Sequence, residues 1–250
     1  MKQEAQLQEM FDAGVHLGHR RRQGNPKMLP YIYKEKDDIQ IINLFQTHRY
    51  LKSACKFLFY RCSRGEKVLF VGTNRHIGKS IEQRANNCNC WYINKRWLGG
   101  FLTNWITMKK SILKMEQTQL IESTRLKRQK VRLEKYLGGV KTMKKLPDIV
   151  IIIGQQKEIN AVRECQKLKI PSITIVDTNC DPSLTDLLIP GNDDSLSSVN
   201  FILNKLEGAI REGQKNFQKN FQKNFQKKKN FKKKFNFRQK NYKRYNKFKK

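Results

Sequence analysis

PDIVIIIG, at residues 147–154, is an unbroken apolar run ended by glycine. A strand with one face in water alternates apolar and polar side chains, whereas a strand covered on both faces does not need to. The run therefore predicts a central strand of a parallel sheet. Working outward, residues 156–168 have helical spacing with Ile159, Val162 and Cys165 inward, and residues 170–177 (IPSITIVD) form a second strand. Upstream, VLFV at 68–71 is another continuous apolar strand, preceded by a helix over 46–62 with Leu51, Ala54, Cys55, Leu58 and Phe59 on one face. A short strand-like run covers 39–44. A helix over 4–13 carries Leu7, Met10 and Phe11 and is closed by Gly14, and a helix over 197–213 carries Val199, Ile202, Leu203, Leu206 and Ile210. Strands that alternate with helices predict an α/β fold, a parallel sheet flanked by helices on both faces.

Two segments depart from that pattern. Over 106–140, apolar residues recur by sevens at Ile106, Leu113 and Leu120, then at Leu126, Leu133 and Val140. Two modest helices broken around 117–123 and paired as a hairpin would carry that spacing. Residues 106–146 hold 12 Lys or Arg against three Glu, so a basic projecting arm is expected here rather than a core element. Beyond residue 213, KNFQ occurs three times in succession, and residues 214–250 contain 16 Lys or Arg with no acid. Such a tail is expected to be disordered in solution or partly helical on a surface. The organisation expected is an α/β core of residues 1–105 and 138–213, an inserted helical hairpin of residues 106–137, and a low-complexity basic tail of residues 214–250.

Composition narrows the function. The net charge of the 250 residues is +31, and residues 1–213 still hold 36 Lys or Arg against 21 Asp or Glu. A surplus of that size calls for an acidic partner, nucleic acid or an anionic membrane surface. No run reaches the length of a membrane span. The six cysteines are scattered without a disulfide framework, which suits a reducing compartment. The start of the chain shows neither a signal-peptide apolar region nor an Arg/Ser-rich presequence.

The motifs for catalysis and metals fall short of working sites. GTNRHIGKS at 72–80 follows a strand and opens a helix, as a P-loop does, and ITIVD at 173–177 resembles its acidic partner strand. Five residues separate Gly72 from Gly78 where the phosphate-wrapping loop has four, so the backbone N–H cradle would be misdirected. Cys88 and Cys90 lack a second pair, and His16 and His19 have no further Cys or His beside them. No metal and no cofactor is expected. Asp177, Asp181, Asp193 and Asp194 fall in loops after strands, where α/β proteins bind ligands, but they read more simply as caps and turns.

WYINKRWLGGFLTNW at 91–105 crowds all three tryptophans, two basic residues and the Gly99-Gly100 pair together. Two readings stand side by side: a surface for a folded polyanion, and a buried aromatic cluster at a strand-to-helix corner. HRRRQGNPK at 19–27 is a Gly/Pro-broken loop whose Arg20, Arg21, Arg22 and Lys27 suit phosphate contacts. The tail, with lysine and interleaved aromatics, suits loosely specific RNA binding.

Longer words then carry a resemblance. AGVHLGH (13–19), NPKMLPYIY (25–33), NKRWLGGFLTNW (94–105), YLGGVKTMKKLPD (136–148), VDTNCDP (176–182) and IPGNDD (189–194) resemble ribosomal protein two of the small subunit. The likeness runs from about residue 6 to 213, and QQKE, RECQKLKIP and NFILNKL are most similar to plastid members. The resemblance implies a parallel sheet flanked by helices with a projecting hairpin. It also implies binding to small-subunit ribosomal RNA, neighbouring small-subunit proteins, a contact with the messenger-binding protein numbered one, and no enzymatic activity. It places the chain in a plastid, with the mitochondrion and the bacterial cytoplasm as alternatives. Motifs and chemistry together mark His16, His19, Arg20, Arg21, Asn25 and Lys27, with Lys95, Arg96, Trp97, Asn104 and Trp105, as the RNA-facing set. The other functions kept open are a free RNA-binding assembly factor and a P-loop-like nucleotide hydrolase.

Overall fold

A computed structural model of the chain describes residues 2–117 and 124–247, with side chains for 4–113, 128 and 131–223. In chain order the elements are α1 (Lys2–Asp12), β1 (Leu17–Arg20), β2 (Ile32–Lys36), β3 (Ile39–Ile42), α2 (Leu44–Cys62), β4 (Val68–Val71), α3 (Gly78–Asn87) and β5 (Trp91–Ile93). They continue with α4 (Trp105–Gln117), α5 (Thr124–Leu137), β6 (Ile149–Ile153), α6 (Ile159–Leu168), β7 (Ser172–Val176), β8 (Leu187–Pro190) and α7 (Leu196–Lys247).

Five strands form a wholly parallel sheet in the order β5–β4–β6–β7–β8. The apolar run at 147–154 supplies its central strand, and all five residues of β6 are buried. Alternate residues feed two cores. Val68 and Phe70, with Ile149, Ile151 and Ile153, face a core completed by α2, α3 and α7. Leu69 and Val71, with Val150 and Ile152, face a second core completed by α6 and by Phe101, Leu102, Ile112, Leu137 and Val140. The crossover through α3 leaves the centre of the sheet on one face and the crossover through α6 leaves it on the other. Because such crossovers are right-handed, the chain winds outward in opposite directions from β4 and β6.

Of a separate antiparallel sheet, β1–β3–β2, only β3 was read in the sequence, as the strand-like run at 39–44. Its hairpin turns on Asp37 and Asp38, both at positive φ (51° and 62°), the geometry of a two-residue turn that matches strand twist. Asn43 caps α2 by accepting from the N–H groups of Phe45 and Gln46. The stretch expected as a loop over 19–27 is thus partly strand and partly 3-10 turn.

Three other expectations are corrected. Helix α6 begins at Ile159 rather than at 156, because Gln155 and Glu158 turn inward in the preceding turn. The sevenfold spacing over 106–140 does not mark one buried seam: Ile106 is 74% exposed and Leu113 46%, while Ile112 is buried at 3%. Leu120 lies outside the described residues. The α4–α5 pair is therefore tied to the second core, through Ile112 and Leu137 and through Val140 in the turn that follows, instead of projecting whole. Finally, α7 does not stop near residue 213 but continues to Lys247, so as far as residue 247 the tail takes the helical one of the two forms expected for it. No described helix is long and apolar enough to cross a membrane.

Candidate nucleic-acid interface

Since β4 and β6 are neighbours whose crossovers diverge, a crevice opens at their carboxyl ends. Two recesses occupy that end of the sheet. One, of about 500 Å³, lies between the loops after β4 and β5 and is lined by Thr73, Arg75, Lys79, Asn94, Lys95, Arg96, Lys135 and Tyr136. The other, of about 330 Å³, holds His19, Asn74, Lys157, Asn179, Asp193 and Asp194 among its lining residues.

The loops around the first recess are fixed from behind by carboxylates. Glu164 of α6, 9% exposed, accepts five hydrogen bonds. Its Oε1 takes Trp97 Nε1 (2.9 Å) and the Gly100 N–H (2.8 Å). Its Oε2 takes the N–H groups of Leu102 (2.8 Å) and Thr103 (3.1 Å) and the Thr103 hydroxyl (3.3 Å). Gly100 at φ +80° gives the loop the left-handed turn that aims these donors at one point. Glu158, 1% exposed, accepts from the Thr73 N–H (2.8 Å) and hydroxyl (2.5 Å), and burial pushes its carboxyl up from the usual range. Glu82 accepts from the Tyr92 hydroxyl (2.7 Å) and from Asn94 Nδ2 (3.1 Å), which also donates to the Gly78 carbonyl (2.9 Å).

This arrangement corrects the reading of Trp97. Its ring is only 8% exposed, packs edge-on against Phe101 at 5.2 Å and belongs to the second core, so it has no free face on which to stack a base. Trp105 is half-buried and packs against Phe101 at 6.0 Å, while Asn104 is exposed and immediately precedes α4, its carbonyl accepting from the Met108 N–H. Of the two readings open for this stretch, the buried aromatic cluster describes the rings. Lys95 and Arg96 are exposed beside it. The fold adds three cations that sequence adjacency did not reveal: Arg75 and Lys79 from the loop and helix after β4, and Lys135 from α5. Among the described residues, Arg75, Lys79, Lys95 and Arg96 form no ion pair. Like charges held in one recess repel, and a bound polyanion removes that repulsion.

The P-loop likeness dissolves in the same region. The Ser80 hydroxyl, which would meet a metal ion in such a loop, is hydrogen-bonded to Asn200 of α7. Gly72 and Gly78 are packing glycines, since an added Cβ would meet Ile81 Cδ1 at 2.5 Å and the Asn94 carbonyl at 3.0 Å.

In the first loop, only some candidates face outward. Arg20, Arg21 and Arg22 are exposed, with Arg21 3.4 Å from Glu35. His16 stacks on Phe11 (4.3 Å, 7°), and burial lowers its pKa. His19 turns toward its own chain's carboxylates, with Nδ1 3.2 Å from Asp177 and Nε2 3.3 Å from Asp194. The Asn25 side chain accepts from the Lys27 N–H, and Lys27 Nζ lies 2.6 Å from Asp181. His19, Asn25 and Lys27 are thus committed to internal partners, and Asp181 acts as the turn cap expected of it, accepting from the Ser183 N–H.

A family model described as ribosomal protein S2 matches residues 10–213. The chain belongs to the ribosomal protein S2 family. The small ribosomal subunit protein uS2 of Synechococcus sp. (strain JA-2-3B'a(2-13)) is 50% identical over 220 residues, covering 83% of each chain. The same-named protein of Nostoc punctiforme is 46% identical over 220 residues, again covering 83% of each chain. The small ribosomal subunit protein uS2c of Mesostigma viride is 48% identical over 221 residues, covering 84% of this chain and 97% of its own. The match to the S2 family stops at residue 213, so the continuation of α7 lies outside it.

Two outcomes test this geometry in the S2-family chain. Glu164→Ala leaves four N–H donors without their acceptor and is expected to destabilise the fold by about 3–5 kcal/mol. Urea unfolding reads that loss, and amide exchange at Gly100, Leu102 and Thr103 is expected to quicken with it; unchanged exchange there counts against the clamp. The second concerns pH. The Asp177 carboxylate, 3.2 Å from Nδ1, raises His19 to about 9 from 6.5, and burial with the nearby Asp177 carboxylate raises Asp193 to about 7 from 3.8. Both groups hold a proton more tightly when folded, so stability falls as pH rises, through Asp193 between about 4 and 7 and through His19 between about 6.5 and 9. His19→Gln is expected to flatten the upper part of that curve and, by removing a positive neighbour, to push Asp193 further up, and an NMR titration of His19 near 6.5 would contradict the contact.

Proposed function

We propose that this chain is a structural constituent of a small ribosomal subunit, held on ribosomal RNA by the carboxyl-end face of its parallel sheet. The observation that carries the reading is the recess of cations, Arg75, Lys79, Lys95 and Arg96, which form no ion pair among the described residues and whose loops are fixed by three carboxylates. Arg20, Arg21 and Arg22 extend the positive surface on β1 and the turn after it. His16, His19, Asn25, Lys27, Trp97 and Trp105 act in this reading by positioning those loops, and Asn104 presents its exposed side chain immediately before α4.

Double-stranded RNA hides its base edges in a deep, narrow groove, so a rigid cationic face reads phosphate and 2′-OH positions rather than sequence. The chain thereby acts as a scaffold in translation and makes or breaks no covalent bond. Its partners are small-subunit ribosomal RNA and neighbouring small-subunit proteins. The messenger-binding protein numbered one is assigned to the apolar surface where Phe11, Tyr33 and Phe45 stand 53%, 66% and 66% exposed around a groove of about 280 Å³. A plastid ribosome, in the stroma, is the home we favour, with a bacterial ribosome as the alternative; cyanobacterial uS2 and uS2c relatives support both. A free assembly factor would share the RNA chemistry but would leave the mature particle.

The triple variant Lys79→Ala/Lys95→Ala/Arg96→Ala is expected to fold normally and to reduce the slope of log affinity against log salt for small-subunit ribosomal RNA by about 2. Filter binding between about 50 and 200 mM salt reads it. An unaltered slope with an unaltered thermal midpoint would remove the recess from the interface.

A further inference from the structure

Helix α7 enters at one pole of the sheet and leaves at the other. It begins at Leu196, after β8, and its last contacts with the core are made beside the amino ends of β4 and β5. There Gly213 lies so close to α2 that an added Cβ would meet the Phe59 carbonyl at 2.7 Å. Gln214 Nε2 donates to the Cys88 carbonyl (2.6 Å), and the Phe217 ring covers Gly65. These contacts fix the direction in which the helix departs. The remaining turns to Lys247 give it a reach of about 50 Å at 1.5 Å per residue.

The departing helix belongs to no part of the family match, which ends at residue 213. Residues 214–250 hold 16 Lys or Arg, seven Phe, two Tyr and no acid, and contain no Leu, Ile, Val, Met or Trp. We propose that residues 214–247 form a second RNA-binding arm, which engages a segment of ribosomal RNA separate from the one at the cationic recess. The opposite poles supply the separation: the recess sits at the carboxyl ends of β4 and β5, and the arm is rooted at their amino ends. Charge and composition supply the chemistry. Lysines recur at every fourth residue at 215, 219 and 223 and then in runs of three at 227–229 and 232–234, and such runs break the period that a continuous apolar stripe would need. A bilayer-surface helix needs an apolar face kept clear of charge. A phosphate backbone with occasional exposed bases accepts cations all round and rings between them. Lysines four apart also repel one another along the free helix, and phosphate relieves that repulsion.

The identity of the RNA rests on the ribosomal reading above, and the test separates the two. In the full chain, Lys227, Lys228, Lys229, Lys232, Lys233 and Lys234 are replaced together by Gln, alone and combined with the recess triple variant. Binding to small-subunit ribosomal RNA is measured across salt with hydroxyl-radical footprinting of the RNA, and binding to anionic phosphatidylglycerol vesicles is measured in parallel. The six-Gln variant is expected to lower the salt slope by about 4, to lose one protected RNA segment and keep another, and to add to the effect of the recess variant. Loss of slope with the tail variant but none with the recess variant upholds the arm and removes the recess. An unchanged slope, a single continuous footprint weakened by both variants, or a loss confined to vesicle binding overturns the arm.

Discussion

Glu164 is a charged side chain inside the protein, and the site depends on its being satisfied there. Burying a carboxylate costs several kcal/mol unless its oxygens are met by good donors. Here the donors are the indole of Trp97 and four groups of the Gly100–Thr103 turn. The cost of burial is offset only when the loop after β5 adopts this one shape. A loop that a Gly-Gly pair would leave loose is thereby held rigid against α6, and Lys95 and Arg96 are carried at its outer rim.

The same logic sorts charge across the carboxyl end of the sheet. Glu82, Glu158 and Glu164 face inward and spend their oxygens on loop donors, so the surface over them is left to Arg75, Lys79, Lys95 and Arg96. Around His19 the order is reversed. Asp177 and Asp193 are buried, Asp194 is exposed, and the histidine neutralises part of their charge. One recess is lined by cations and its neighbour by a histidine and carboxylates with a single lysine, although both lie at the same edge of the fold. A net charge of +31 alone would not have drawn that boundary.

Strands β4, β6 and β7 were legible because continuous apolar runs have few other uses. Strands β5 and β8 are three and four residues long at the sheet's edges, too short to give a period, and β8 ends in proline. The β2–β3 hairpin escaped because its turn uses Asp37-Asp38 instead of an Asn-Gly signal, and because β2 is mostly exposed. At the site, Lys95 and Arg96 could be read from their neighbours in sequence, but Arg75 and Lys79 join them only once β4 and β5 are known to be adjacent. Glu164 was passed over since a lone acid in an amphipathic helix is ordinarily on the surface. Its trace in the sequence was the Gly99-Gly100 pair beside a tryptophan, a cluster of N–H donors with no acceptor nearby.

That the cationic rim meets ribosomal RNA while the exposed face of α2 does not is tested most directly by amine acylation of lysines in native small subunits and in the free chain. Lys79 and Lys95 are expected to react in the free chain and to be protected in the particle, with the exposed Lys52 and Lys56 of α2 reacting in both. Equal reactivity of Lys79 and Lys95 in the two states would contradict the account.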